Sequence, residues 1–239
     1  MNLSDKVTIV IPCYNEEKYI GKTLRSIAEQ KGIKGTTVII ADGGSTDGTI
    51  KVINKAVDKY SKNLNIRLIK GGSVAVGRNK GAKQVTTKYV LFLDADATIL
   101  CHDAILHATM HLDKGKKLIT CKVESTSKDI RARMSFSLFN IVNSIISMHT
   151  PFAVGTFFMT SVKSFNSRGG FDTSLQHSED YHLSRKYLSH EFKIIDKYIG
   201  QDDRRFKKMG YLGMVKLLIK NFLNRNNKEY FKKDIGYWK

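Results

Sequence analysis

Residues 7–20 read VTIVIPCYNEEKYI. The first five, Val7 to Ile11, are an unbroken β-branched run, the composition of a strand. Behind Glu16 and Glu17, whose charge suits a helix N-terminus, Ile20, Leu24 and Ile27 recur at helical spacing. The stretch predicts strand, turn, helix. The unit repeats downstream: strand Thr37 to Ala41 with helix Asp47 to Tyr60, strand Ile66 to Ile69 with helix Val74 to Val85, then strand Tyr89 to Leu93. Such alternation predicts an α/β fold, a Rossmann-like and mainly parallel central sheet flanked by helices, with ligands at the carboxyl ends of the strands.

Those ends are where the polar residues gather. Asp94-Ala95-Asp96 follows the apolar run Tyr89 to Leu93, so two carboxylates lie just past a strand, where a hard cation can be held with positions open to phosphate oxygens. The pair can equally be a turn with capping acids. Crowded aspartates raise one another's pKa unless a cation or hydrogen bonds compensate, which favours the first reading. Asp42-Gly43-Gly44-Ser45-Thr46-Asp47 joins a strand to a helix that Ser45 or Thr46 can cap, and its glycines admit a ligand close to the backbone. In Pro12-Cys13-Tyr14-Asn15-Glu16, Tyr14 can stack on a base and Glu16 can accept from ribose, or the segment is simply a turn.

Arg78 falls on the helical stripe of Val74, Gly81, Ala82 and Val85, so its guanidinium needs a carboxylate or phosphate partner unless its stem snorkels. Ser178-Glu179-Asp180 reads as a capping serine with acids in the first turn, or as the seat of a general base. Arg204-Arg205, followed by Lys207-Lys208, is either a solvated basic face or a source of charge for a leaving diphosphate.

Past residue 118 the rhythm changes. A strand near Lys117 to Val123 precedes the uncharged segment Met134 to Met148, a strand Gly155 to Thr160, a Gly169-Gly170 turn and a helix from Glu179. Residues 201–239 hold 11 Lys or Arg against 4 Asp or Glu, interleaved with Tyr211, Leu217, Leu218, Phe222, Tyr230, Phe231 and Trp238. At 239 residues and 41% hydrophobic content, with 2 Pro, the chain has material for one large domain and is not of disordered composition. Three cysteines without paired spacing argue against a disulfide framework and for a reducing, cytoplasmic setting. Asp5 and Lys6 interrupt any secretory leader, and Asn140, Asn143, His149 and Pro151 break the longest uncharged run, so neither export nor a membrane span is expected. A net charge of +18 implies an anionic partner.

Five segments together resemble the family 2 glycosyltransferases, inverting enzymes of the GT-A fold. They are Val7 to Ile20, Val38 to Thr49 (VIIADGGSTDGT), Gly77 to Ala82 (GRNKGA), Tyr89 to Asp96 (YVLFLDAD) and Gly169 to Asp180 (GGFDTSLQHSED), in the family's order. The resemblance implies that Pro12, Tyr14, Glu16 and Asp42 hold the nucleoside and that Arg78 lies near the nucleotide. It further implies that Asp94 contacts ribose or metal, Asp96 ligates Mg²⁺ or Mn²⁺, and Asp180 is the catalytic base. Arg204 and Arg205 resemble a segment that reaches the diphosphate. Residues 1–205 are then a GT-A domain, nucleotide-binding over about 1–115 and acceptor-binding over about 116–205, with 206–239 a basic amphipathic helical extension.

The implied activity is transfer of a sugar from a nucleotide sugar, such as a UDP- or GDP-sugar, to an acceptor hydroxyl or lipid phosphate of a glycan or polyprenyl phosphate. Thr98 departs from those dolichyl-phosphate-sugar synthases that carry a third metal-binding side chain two residues after the second aspartate. Members of this kind often work at the cytoplasmic membrane face. The basic tail and the uncharged segment suit an anionic membrane surface, or equally a core helix and a solvated tail. Two rivals stand beside this reading. Phe92 to Thr98 (FLDADAT) also fits a haloacid-dehalogenase-like phosphatase with Asp94 as nucleophile, although three strand-helix units precede it. The charge alone fits a non-catalytic nucleic-acid-binding protein, but no recognition motif supports specific nucleic-acid binding.

Overall fold

Val7, Ile9 and Ile11 join one hydrophobic core and Val10 the other, the period of two that a strand imposes, and the next strand divides Val38 and Ile40 from Ile39 in the same way. The computed structural model describes residues 2–233. Its first half runs β1 (Val7–Cys13), α1 (Ile20–Ala28), β2 (Thr36–Asp42), α2 (Thr49–Tyr60), β3 (Leu64–Lys70), α3 (Val74–Ala82) and β4 (Tyr89–Phe92). There follow β5 (Thr98–Ile99), α4 (Ala104–Asp113), β6 (Leu118–Ser125), α5 (Ile130–Ile146), β7 (Phe158–Ser161), α6 (Val162–Ser167) and α7 (Glu179–Ser184). The chain closes with β8 (Phe192–Gln201), α8 (Arg204–Met209), α9 (Tyr211–Leu223) and α10 (Lys228–Phe231). Trp238, an expected member of the aromatic tail, lies outside the described residues.

Among the described residues the strands form one eight-stranded sheet in the order β3-β2-β1-β4-β7-β6-β8-β5. The pairings β3-β2, β2-β1 and β1-β4 are parallel, as the strand-helix alternation predicts. β7 then enters antiparallel to both β4 and β6, while β6 and β8 are again parallel. All seven residues of β1 and all four of β4 are buried, as expected of central strands covered on both faces. Ile20, Leu24, Ile27, Ile53, Ile105 and Ala108 cover one face, and Ala75, Ala82, Phe165 and Phe171 the other. α3 sits very close to the sheet: a Cβ on Gly81 would fall 2.3 Å from Val10 Cγ1, so only glycine allows this approach.

Register decides what the site contains. Cys13 pairs with Asp42, Asp42 with Lys70 and Val10 with Phe92, so Asp94, two residues beyond Phe92, emerges along the same carboxyl edge as Asp42. Two expected caps are not formed. Gly48, not Ser45 or Thr46, precedes α2, and Ser45 spends its hydroxyl on Asp42. Ser178 precedes α7 in a left-handed conformation (φ 60°) and its side chain makes no capping bond. Glu16 and Glu17 also stand outside the first turn of α1, which begins at Ile20. The described cysteines are all free, and no described helix is long and apolar enough to cross a membrane.

Candidate active site

Two loops at the carboxyl edge are stitched together. Asn15, itself at φ 52°, accepts from the Thr46 amide at 2.8 Å, and its own amide donates to Ser45 Oγ at 2.9 Å. The Glu16 amide donates to Thr49 Oγ1 at 2.8 Å, and Glu17 accepts from the Gly48 amide at 3.1 Å. Asp42 accepts from the amides of Gly44 and Ser45 at 2.9 and 3.0 Å, which fixes its carboxylate. Beside it opens a cleft of about 380 Å³ lined by Asp42, Gly43, Gly44, Leu68, Lys70 and Gly72. Tyr14 is exposed on the neighbouring loop, and Pro12 is buried within β1.

Arg78 is 1% exposed. Its guanidinium donates to Asp94 Oδ1 at 2.6 Å and to Glu179 Oε1, and lies 5.0 Å from the Phe171 ring centre. Burial alone would lower the pKa of this arginine, but Asp94, Glu179 and Asp180 reverse that and hold it charged. The expectation that Arg78 needs an anionic partner is met by two carboxylates.

Asp180 occupies the other side of this arginine. Its Oδ2 accepts from the Gly155 amide and its Oδ1 from the Tyr181 amide, both at 2.7 Å. A Cβ on Gly155 would lie 2.4 Å from Arg78 Nη2 and 3.3 Å from Asp180 Oδ2, so the strand-leading glycine is what lets these two charges share the site. Burial, then the charge of Glu179, pushes the Asp180 carboxyl up to about 7, against the opposing pull of Arg78. A carboxyl held there can take a proton near neutral pH.

Asp96 is buried, and desolvation followed by the neighbouring Asp94 raises its pKa. Its partner is Arg204 of α8, whose guanidinium donates to Asp96 Oδ2 at 2.7 Å and to both Glu16 oxygens at 2.7 and 2.9 Å, over the ring of Tyr19. Arg205 adds positive charge near Asp96. Arg204 is therefore no solvated basic residue. It carries the start of the C-terminal helices into the site. Asp94 and Asp96 thus each give one oxygen to a guanidinium, Asp94 to Arg78 and Asp96 to Arg204. Two hard carboxylates are the donor type of a divalent ion completed by substrate phosphates, and among the described residues no group of three or more ligating side chains stands together.

The structure thus brings Glu16, Asp42, Arg78, Asp94, Asp96, Asp180 and Arg204 to one edge of the sheet. Sequence reasoning missed Gly155 and the pairing of Glu179 with Arg78. The Glu-Asp pair at the start of α7 was a signal, but its partner stands 101 residues away.

The model of glycosyl transferase family 2 matches residues 8–169, ahead of Asp180 and Arg204. A teichoic acid poly(glycerol phosphate) polymerase of Staphylococcus epidermidis is 39% identical over 93 residues, covering 38% of this chain and 13% of that protein. The poly(ribitol-phosphate) β-N-acetylglucosaminyltransferase TarS of Staphylococcus aureus is 35% identical over 96 residues, 38% of this chain and 16% of that one. The chain thus spans a small part of the curated relatives it matches.

Among solved structures, TarS residues 1–349 in complex with UDP-GlcNAc superpose with a TM-score of 0.64 at 23% identity, over 82% of this chain and 58% of the other. The mannosyltransferase PcManGT of Pyrobaculum calidifontis in complex with GDP-Man and Mn²⁺ gives 0.67 at 21% identity, over 89% and 64%. These likenesses show a GT-A fold. They favour neither the phosphatase nor the nucleic-acid reading.

Proposed function

Because the chain belongs to glycosyl transferase family 2, we propose that it moves a sugar from a nucleotide sugar to an acceptor oxygen with inversion, using residues 1–205 as the catalytic unit. The observation that carries the proposal is the convergence of Asp42, Asp94, Asp96 and Asp180 on one sheet edge with Arg78 and Arg204 between them. In this reading Asp42 reads the base edge, Tyr14 lies on its face, and Pro12 and Glu16 complete the nucleoside site. Asp94 and Asp96 hold Mg²⁺ or Mn²⁺, which when bound supplies positive charge to the departing diphosphate. Arg204 and Arg205 supply further charge to the same leaving group. UDP-GlcNAc and GDP-Man, bound by the two neighbours, are the donor classes to test first.

The chemistry of the chain's own residues follows from charge. Asp180 accepts the acceptor hydroxyl proton as that oxygen attacks the anomeric carbon. The new carbon–oxygen bond forms on the face opposite the diphosphate, and the breaking bond leaves its electron pair on the diphosphate oxygen. One displacement inverts the configuration. Where the acceptor is a lipid phosphate its oxygen is already ionised, and Asp180 orients it rather than deprotonates it. Arg78 keeps Asp94 in place and balances Glu179 and Asp180.

Thermal unfolding in the presence of UDP, GDP, CDP, dTDP and ADP, each with Mn²⁺, Mg²⁺ or EDTA, tests the donor half directly. A ligand that binds only the native state raises the midpoint, so one nucleotide with a metal-dependent shift is the expected result. No shift with any nucleotide in any condition contradicts it.

A further inference from the structure

Among the described residues, two helices beyond the nucleotide-binding half each leave an apolar stripe uncovered. On α5, Ile130, Met134, Leu138, Ile141 and Ile145 recur every three or four residues and are 58–68% exposed, while Ala132 and Asn143 turn inward. On α9, Leu212, Val215, Ile219, Phe222 and Leu223 do the same at 50–78% exposure, with Met214 and Leu217 inward. On α5 the usual polarity is therefore reversed, since its apolar stripe faces out, whereas α9 is apolar on its inward and its outward side alike.

The two are fastened together at one end. Tyr211 of α9 donates to Asp129, which caps α5, Arg131 lies over the Tyr211 ring, and Phe206 meets Phe136 edge to face. Charge selects the occupant. Residues 204–228 contain eight Lys or Arg and no Asp or Glu; Arg204 is held in the site, and Lys207 and Lys228 pair with Asp203 and Asp172. Lys216 and Lys220 border the α9 stripe, and Arg131 and Arg133 lie at the start of α5.

We infer that the outward stripes of α5 and α9 dock on an anionic lipid bilayer, with leucine-sized side chains entering the headgroup boundary and the lysines and arginines contacting lipid phosphates. A second copy of the chain would set these cations against each other, whereas an anionic lipid surface neutralises them. The inference deepens the proposed function on its acceptor side. Docking would hold the site beside lipid-borne acceptors, and α9 follows directly on the segment that carries Arg204 onto Asp96.

The test is sedimentation of the full chain with vesicles of phosphatidylcholine alone and of phosphatidylcholine with phosphatidylglycerol, without donor or metal. Wild type is expected to sediment with the anionic vesicles only, and less at raised salt. Leu138→Glu and Ile219→Glu should each weaken that binding about tenfold, the effect of losing one buried leucine-sized side chain. Both positions are exposed, and unchanged thermal midpoints would show that the variants fold. Absence of sedimentation with either vesicle overturns the inference, as does a concentration-dependent dimer that the same variants dissociate in place of vesicle binding. Neither result bears on the donor reading, which the nucleotide shifts decide separately.

Discussion

Replacing Asp180 by asparagine should stabilise the protein while abolishing transfer, and the sizes of both effects follow from the site. The carboxyl stands at about 7 against an ordinary 3.8, which corresponds to about 4 kcal/mol held against the native state when the group is ionised. Asp180 is half-buried and its charge is shared with Glu179 and Arg78, and charges at such sites interact as in a medium well above the dry-protein dielectric, so about 2 kcal/mol of this is expected to be realised. Asparagine offers one oxygen where the amides of Gly155 and Tyr181 both donate, which costs about 1 kcal/mol.

The net gain, about 1 kcal/mol, should raise Tm by roughly 2–4 °C at alkaline pH. Its sign is fixed by proton binding. Between the unfolded pKa and about 7 the native state keeps a proton that the unfolded chain has lost, so wild-type stability falls as pH rises through this window. Below the window the variant has no advantage, and above it the advantage is constant. Thermal unfolding of both proteins across this range, paired with release of nucleoside diphosphate, is the assay. Transfer should drop about 10²- to 10⁴-fold with donor binding retained. A midpoint difference that does not grow with pH, or a variant with full transfer, refutes the reasoning.

The remaining predictions concern the same charges. Gly155→Ala places a methyl group against a fully buried guanidinium and should cost about 1–3 kcal/mol in a urea titration. Arg78→Met leaves Asp94 and Glu179 without their cation and should cost about 3–5 kcal/mol, seen as a lower denaturation midpoint. Asp96→Ala should remove metal-dependent nucleotide binding in calorimetry. Unchanged affinity with Mn²⁺ would take Asp96 out of the metal site.

The first half of the fold was legible because its information is local. Val7 to Ile11 is β-branched and continuous, the helices behind it keep their period, and the acids at the strand ends follow from where the apolar runs stop. The misread caps had a different cause. Ser45 could cap α2 by its spacing, but the carboxylate of Asp42 lies within reach in the folded loop and takes the hydroxyl instead. Ser178 adopts a left-handed turn that no local pattern encodes. Arg78 could be assigned an anionic partner from its place on an apolar stripe, yet the choice of Glu179 depends on α7 coming back to α3, and that of Asp94 on where β4 ends beside that helix.

The uncharged segment shows where such reasoning ends. Its spacing distinguishes one face of a helix from the other, and that much is present in Met134, Leu138, Ile141 and Ile145. Which face turns inward is settled by what the rest of the sheet can cover. α5 packs on β6 through its narrower side, where Asn140 accepts from the Val123 amide and donates to the Val123 carbonyl at 2.9 and 2.8 Å. Those two bonds satisfy the backbone of Val123 and fix the rotation of the helix about its axis. With Asn140 turned to the strand, the apolar stripe must point away from the sheet. A polar residue thus orients a hydrophobic surface outward, and replacing Asn140 by leucine should loosen that orientation and weaken vesicle binding without touching any residue of the stripe.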